Sequence, residues 1–184
     1  PMLAGSAISL MHTKFFTMRR SVLRNLQSRI GNALSIKVES AENLLIEICY
    51  FYNNSGFNKV PADIKVEVGV FSEIIWENLI INSYFENSSL TGSIGISKNT
   101  QTLISNCTFL KPSSVNGGAI TALKNSSVLL KNLFIIDSKA YGKGGAFYFL
   151  QSRVIMIGVF VNKSSSEDFG GLIASIFSSI TIAN

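Results

Sequence analysis

Gly117-Gly118-Ala119-Ile120 returns as Gly144-Gly145-Ala146-Phe147 and again as Gly170-Gly171-Leu172-Ile173, with a weaker copy at Thr91-Gly92-Ser93-Ile94. The copies begin at positions 91, 117, 144 and 170, so the step between them is nearly constant. A second landmark runs in phase with the first. Ile48 to Ser55 matches Asn82 to Ser89, and shorter copies stand at Asn106-Cys107-Thr108-Phe109, Leu133 to Asp137 and Val159 to Asn162. Its large apolar positions are Phe51, Phe85, Phe109, Ile135 and Phe160, one longer step followed by three that match the first landmark closely. A fixed period in this range is the signature of stacked repeats, each too small to bury its own faces.

The residues between the landmarks say what repeats. Leu34, Ile36 and Val38 alternate with other residues, as do Ile64, Val66, Val68 and Val70, and clusters of Asn, Ser and Gly break the runs. This is the period of strands, with no helical stretch in any repeat. Leucine-rich repeats need a spaced Leu frame that is missing, and propeller blades need a longer unit. A plain β-sandwich would not keep two landmarks in step. The expected fold class is therefore all-β, a parallel β-helix of about 26 residues per coil, its coils hydrogen-bonded about 4.8 Å apart. Phe51, Phe85, Phe109, Ile135 and Phe160 form the expected core ladder. Gly92, Gly117, Gly118, Gly144, Gly145, Gly170 and Gly171 are the expected structural turns, where a positive φ costs glycine little.

The Phe-x-Asn-Asn-Ser run at Phe51–Ser55 and the strands Gly-Gly-Ala-Ile and Gly-Gly-Ala-Phe-Tyr resemble the polymorphic outer membrane protein repeat. The resemblance covers about residues 41 to 184. It implies a right-handed, pectin-lyase-like winding, found in bacterial surface passengers and in large surface proteins of protists. The copies here are degenerate: Thr91 replaces the first Gly, and Lys111 or Asp137 replaces the Asn.

The stretch 1–40 differs. It holds six basic side chains against one acid, whereas the rest of the chain is neutral, so the net charge of +5 sits in this leader. Leu23, Leu26, Ile30 and Leu34 fall on one helical face, and Arg19, Arg20, Arg24 and Arg29 mostly elsewhere. The spacing predicts an amphipathic helix over 13–31 that caps the first coil, dividing the chain into a basic leader, 1–32, and a β-helix body, 33–184. With its charge after the short apolar stretch Met2–Leu10, the leader does not read as a cleavable signal.

Composition excludes several classes. At 47% apolar and 15% charged residues over 184, the chain is no disordered segment. Two cysteines make no disulfide scaffold. No stretch has the roughly 18 apolar residues of a spanning helix. Basic charge confined to a leader gives no specific nucleic-acid signal.

Candidate chemistry is sparse. The strands after each Gly-Gly pair contain no acid. Glu167-Asp168 reads as a solvated turn, and Glu73 and Glu77 flank Trp76 as the best available carboxylate pair. His12, the only histidine, lies in the leader, and one His with two distant Cys makes no zinc set. Gly142-Lys143-Gly144-Gly145 lacks the Ser/Thr ending and the helix of a phosphate loop. No cofactor or metal is expected. Asn53, Asn87, Asn106, Asn125 and Asn162 open glycosylation sequons, a slight pointer to a surface or secreted protein carrying glycans.

The leading expectation is a non-enzymatic structural or adhesive β-helix, a surface, filament or assembly component. The alternatives are a carbohydrate-binding or carbohydrate-active β-helix, and an intracellular or organelle scaffold subunit docked through the basic arm. The pattern Ser179 to Asn184 stops inside a strand, so a longer chain or another protein subunit is expected to complete the C-terminal end. The arginine face suits an acidic partner or lipid headgroups. Cys49, Ser83 and Cys107 share a column, so the two thiols, two coils apart, are expected to be free. Gly118→Val and Gly145→Val are expected to cost more than Gly56→Val or Gly95→Val, through strain at a positive φ.

Overall fold

The structure, a computed structural model, describes residues 5–11, 15–26, 32–38, 44–55, 64–68, 78–89, 92–98 and 100–184. It is a parallel β-solenoid. Three runs of strand follow one another around each coil, and each pairs in parallel with its equivalent in the coils above and below. The first face is a seven-stranded sheet: Gly5–Met11, Asn32–Val38, Ile64–Val68, Ile94–Ser97, Ile120–Leu123, Phe147–Leu150 and Ile173–Ile176. The second face stacks Phe16–Arg19, Leu44–Glu47, Asn78–Ile81, Gln101–Ser105 and the first halves of Ser127–Ala140 and Arg153–Ser166, ending on Ser179–Ala183. The third stacks Val22–Arg24, Tyr50–Tyr52, Tyr84–Glu86, Thr108–Leu110 and the second halves of the two long strands. Ile94 pairs with Ile120, Ile120 with Phe147 and Phe147 with Ile173, the same step that separates the Gly-Gly copies.

Stacking sets like residues over like. Phe51, Phe85 and Phe109 are fully buried, their rings 4.9 and 4.8 Å apart and within 8° of parallel. Such a buried ring contributes roughly 1.5–3 kcal/mol by removal from water, and its stacked neighbour about 0.5–1.5 more. The column runs from Leu23 through Phe51, Phe85, Phe109 and Ile135 to Val161. Phe160 is not in it. Phe160 pairs with Phe134 and is 55% exposed. The expected ladder is corrected by one position there: Val161, and not the larger Phe160, keeps the step of the repeat.

The helix over 13–31 is corrected within the described residues. Residues 16–19 and 22–24 are strands, pairing with Leu44–Glu47 and Tyr50–Tyr52. Met18 and Leu23 point inward and are buried, while Leu26 packs against the core edge. The helix-like spacing arises from corners: Arg20 (φ 49°) and Asn25 (φ 55°) adopt the left-handed conformation and reset the strand alternation. Residues 12–14 and 27–31, with any cap they form, lie outside the described residues.

The corners form columns of left-handed residues. Arg20, Ile48, Asn82, Asn106, Asn132 and Gly158 separate the second face from the third. Asn25, Asn53, Asn87, Lys111, Asp137 and Lys163 end the third. Lys98, Lys124, Gln151 and Phe177 end the first. Of each glycine pair only the first residue is left-handed, Gly117, Gly144 and Gly170, and Gly92 takes that role one position nearer its strand. Gly118 and Gly145 are needed for another reason. A Cβ on Gly145 would collide with the Gly171 and Ser165 carbonyls and the Ser164 hydroxyl, and one on Gly118 with the Gly145 carbonyl and the Ser138 hydroxyl.

Candidate functional site

Asparagine suits a left-handed corner because its short amide bonds locally. In the corner between second and third faces the amides also bond to one another. Asn132 Nδ2 donates to Asn106 Oδ1 at 3.1 Å, and Asn106 Nδ2 donates to Asn82 Oδ1 at 3.2 Å. This exposed amide ladder escaped the sequence reading, although the signal is present: each Asn stands three places before Phe85, Phe109 or Ile135. Of the sequon residues, Asn53, Asn87, Asn106 and Asn125 are left-handed corner residues, and Asn162 lies in a strand. The corner thus supplies a conformational reason for four of these asparagines.

Several hydroxyls and both thiols near the core are tied into backbone bonds. Ser138 and Ser164 donate to the Gly145 and Gly171 carbonyls, both at 2.7 Å. Cys49 and Cys107 are free and buried, with Ser83 between them in the column. Cys49 N–H donates to Ser83 Oγ at 3.2 Å, and Cys107 Sγ donates to the Ser105 carbonyl at 3.2 Å. Burial pushes the Cys107 thiol up to about 12 and raises that of Cys49.

The remaining sequence candidates are dispersed. The Gly142–Gly145 segment cannot cradle a phosphate with its amides: Gly144 and Gly145 N–H donate to the Phe169 and Gly170 carbonyls, both at 3.0 Å. Lys143 Nζ lies 4.5 Å from the centre of the Phe169 ring. Glu167 pairs with Lys139 at 3.1 Å, and Arg19 with Glu47 at 2.8 Å. Arg20 and Arg24 are exposed on the first described coil. Among the described residues no His, Cys, Asp and Glu cluster could hold a metal ion. His12, Arg29, Gly56, Glu73, Trp76 and Glu77 lie outside the described residues.

Two arrangements do bring polar and aromatic groups together. On the outer side of the third face the Tyr50 and Tyr84 rings stack 5.0 Å apart, and the Tyr50 hydroxyl donates to Glu86 Oε2 at 2.7 Å, which pushes its pKa up to about 12. At the exit from the first face an open groove is lined by Asn125, Ser127, Gln151, Arg153, Phe177 and Ser179 among others. Phe177 is held left-handed and is 88% exposed, beside the amides and the guanidinium.

The last strand among the described residues pairs with one neighbour. Ser179–Ala183 pairs only with Arg153–Ile157, and Ile182 is 65% exposed. A Cβ on Gly171 would meet open space, unlike those on Gly118 and Gly145. No family model, curated protein or solved structure matches this chain. No helix among the described residues is long and apolar enough to cross a membrane.

Proposed function

We propose that this chain is a structural β-solenoid module, an assembly component rather than an enzyme. The observation that carries this reading is where the polar side chains go. The amides of Asn82, Asn106 and Asn132 and the hydroxyls of Ser138 and Ser164 bond from coil to coil or from corner to strand. The thiol of Cys107, with its raised pKa, is a poor nucleophile near neutral pH. Side chains that could do chemistry are spent on making a regular rod. Kinship with polymorphic outer membrane protein-like repeats, a right-handed pectin-lyase-like winding, and a surface or secreted setting with glycans at the sequons belong to this same proposal. So does docking of Arg20 and Arg24 on an acidic partner or lipid headgroups.

The test is turnover of polysaccharide substrates by the folded chain, set beside thermal unfolding of Asn106→Ala, which removes the middle amide of the corner ladder. Loss of its two ladder bonds at a left-handed corner should destabilise the chain by about 1 kcal/mol or more. Turnover of any such substrate, or an unchanged melting temperature in Asn106→Ala, would sink the reading.

A second reading, carbohydrate binding, has one observation in its favour. The groove sets the exposed Phe177 ring beside Asn125, Gln151 and Arg153. An apolar ring face with a few planar hydrogen-bonding groups is a chemistry that fits a sugar. Retardation in gels containing neutral polysaccharides, lost in Phe177→Ala, would support this reading over the first.

A further inference from the structure

Strands of the second face are apolar on both sides. Leu44 and Ile46, Ile80, Ile104, Val128 and Leu130, and Val154 and Met156 point into the core. Between them, facing out, stand Leu45, Leu79, Leu103, Leu129 and Ile155, which pair in one unbroken register column. All five are half-buried and none belongs to the core cluster. Strands exposed on one face alternate apolar with polar, whereas strands covered on both faces read as continuous apolar runs. Leu44-Leu45-Ile46, Leu79-Ile80-Ile81, Val128-Leu129-Leu130 and Val154-Ile155-Met156-Ile157 are runs of the second kind. The interior covers one side only.

We infer that the outer side of the second face is a lateral interface between two copies of this chain, packed face to face about a two-fold axis parallel to the strands. Three observations select a second copy. A ladder of aliphatic residues at a constant coil spacing is self-complementary, and two-fold pairs are the commonest oligomers. The face measures about 29 Å along the stack by about 17 Å along the strands, so a pair would bury roughly 1,000 Å², the lower range of a specific interface. The charges also fit: Glu47 is held by Arg19 of its own chain at 2.8 Å through Oε2, and its Oε1 is left for a cation on the other copy. In the neighbouring outward column Glu47 stands one coil before Ile81 and Lys131 one coil after Ser105. A two-fold midway between the coils of Leu79 and Leu103 places Leu79 over Leu103, Leu45 over Leu129, and Glu47 over Lys131. This contact is lateral, and its failure would leave the structural reading above untouched.

The test is sedimentation equilibrium of the full chain from about 1 to 200 μM. The unaltered chain should dimerise. Leu103→Lys should weaken the dimer at least ~100-fold, as expected for a central apolar contact. Leu123→Lys, an outward leucine on the first face, should change it less than ~3-fold, and circular dichroism should show all variants folded. Glu47→Lys should weaken the dimer and Glu47→Lys with Lys131→Glu should restore it. A monomer at every concentration would overturn the inference. So would equal weakening by Leu123→Lys or failure of the charge swap. Binding to phosphatidylcholine vesicles that Leu103→Lys abolishes would also overturn it, making the covering layer lipid.

Discussion

Single side chains in this stack are judged by the column they occupy. Phe109 has a ring on one side and Ile135 on the other and no exposure, whereas Phe160 is mostly in water. Phe109→Ala should destabilise by about 3–5 kcal/mol, and Phe160→Ala by less than about 1, in urea unfolding. Thr102 fills an interior place between Asn78 and Val128, and its buried hydroxyl has no hydrogen-bond partner. Thr102→Val keeps the shape and removes the orphan, so it should stabilise by about 1 kcal/mol. Ile48 is a β-branched residue at φ 54° and 49% exposed, in the column where Asn82 follows. Ile48→Asn should stabilise by about 1 kcal/mol, by easing a conformation that disfavours β-branching. Titration gives a further check. Tyr50 and Cys107 have folded-state pKa values raised to about 12, so each neutral form is favoured by the fold. Their contribution is complete below the unfolded values, about 10 and 9, and is lost as pH rises towards 12. Spectroscopic titration should find Tyr50 ionising near 12, moving back towards 10 in Glu86→Gln.

At the scale of strand and corner, the glycine pair is two requirements and not one. The first residue needs a positive φ, and the second needs the absence of a Cβ because the next coil's backbone lies against it. The same substitution should therefore give different results down one column. Gly145→Ala should cost about 3 kcal/mol or more, since backbone and serine must move, while Gly171→Ala should stay within about 0.5 kcal/mol. Equal melting shifts would show that the corner is conformational only. The expected contrast of Gly118→Val with Gly95→Val now rests on crowding at Gly118 rather than on a positive φ there. Corners also explain why the N-terminal stretch imitated a helix. One left-handed residue between two short strands converts a spacing of two into three or five, and this is how Met18, Leu23 and Leu26 come to face the core.

Over the whole molecule, each coil touches only its neighbours, so stability is approximately a sum of coil and interface terms. Native-state hydrogen exchange should reflect this. Ile180→Ala, in a coil with a single neighbour, should speed exchange in Ser179–Ala183 and leave the Phe109 coil unchanged. Phe109→Ala should lower protection on both sides of the break. A uniform loss of protection from Ile180→Ala would mean that the stack unfolds as one unit.

Much of this was legible in the chain alone. The period, the all-β class and the column of Phe51, Phe85, Phe109 and Ile135 follow from like residues recurring at the spacing at which parallel coils set them in register. Cys49 and Cys107 fell in their column for the same reason. What the sequence could not decide depends on atoms brought together across coils. Val161 rather than Phe160 continues the ladder because backbone register, not side-chain size, selects the inward residue. Gly118 and Gly145 are glycines because the carbonyls of Gly145 and Gly171, each one coil further along, lie against them. The outward leucine column was hidden inside apolar runs that read the same whether one face or both are covered. Only the closed interior shows which side of each strand is already occupied, and so which side is left for a partner.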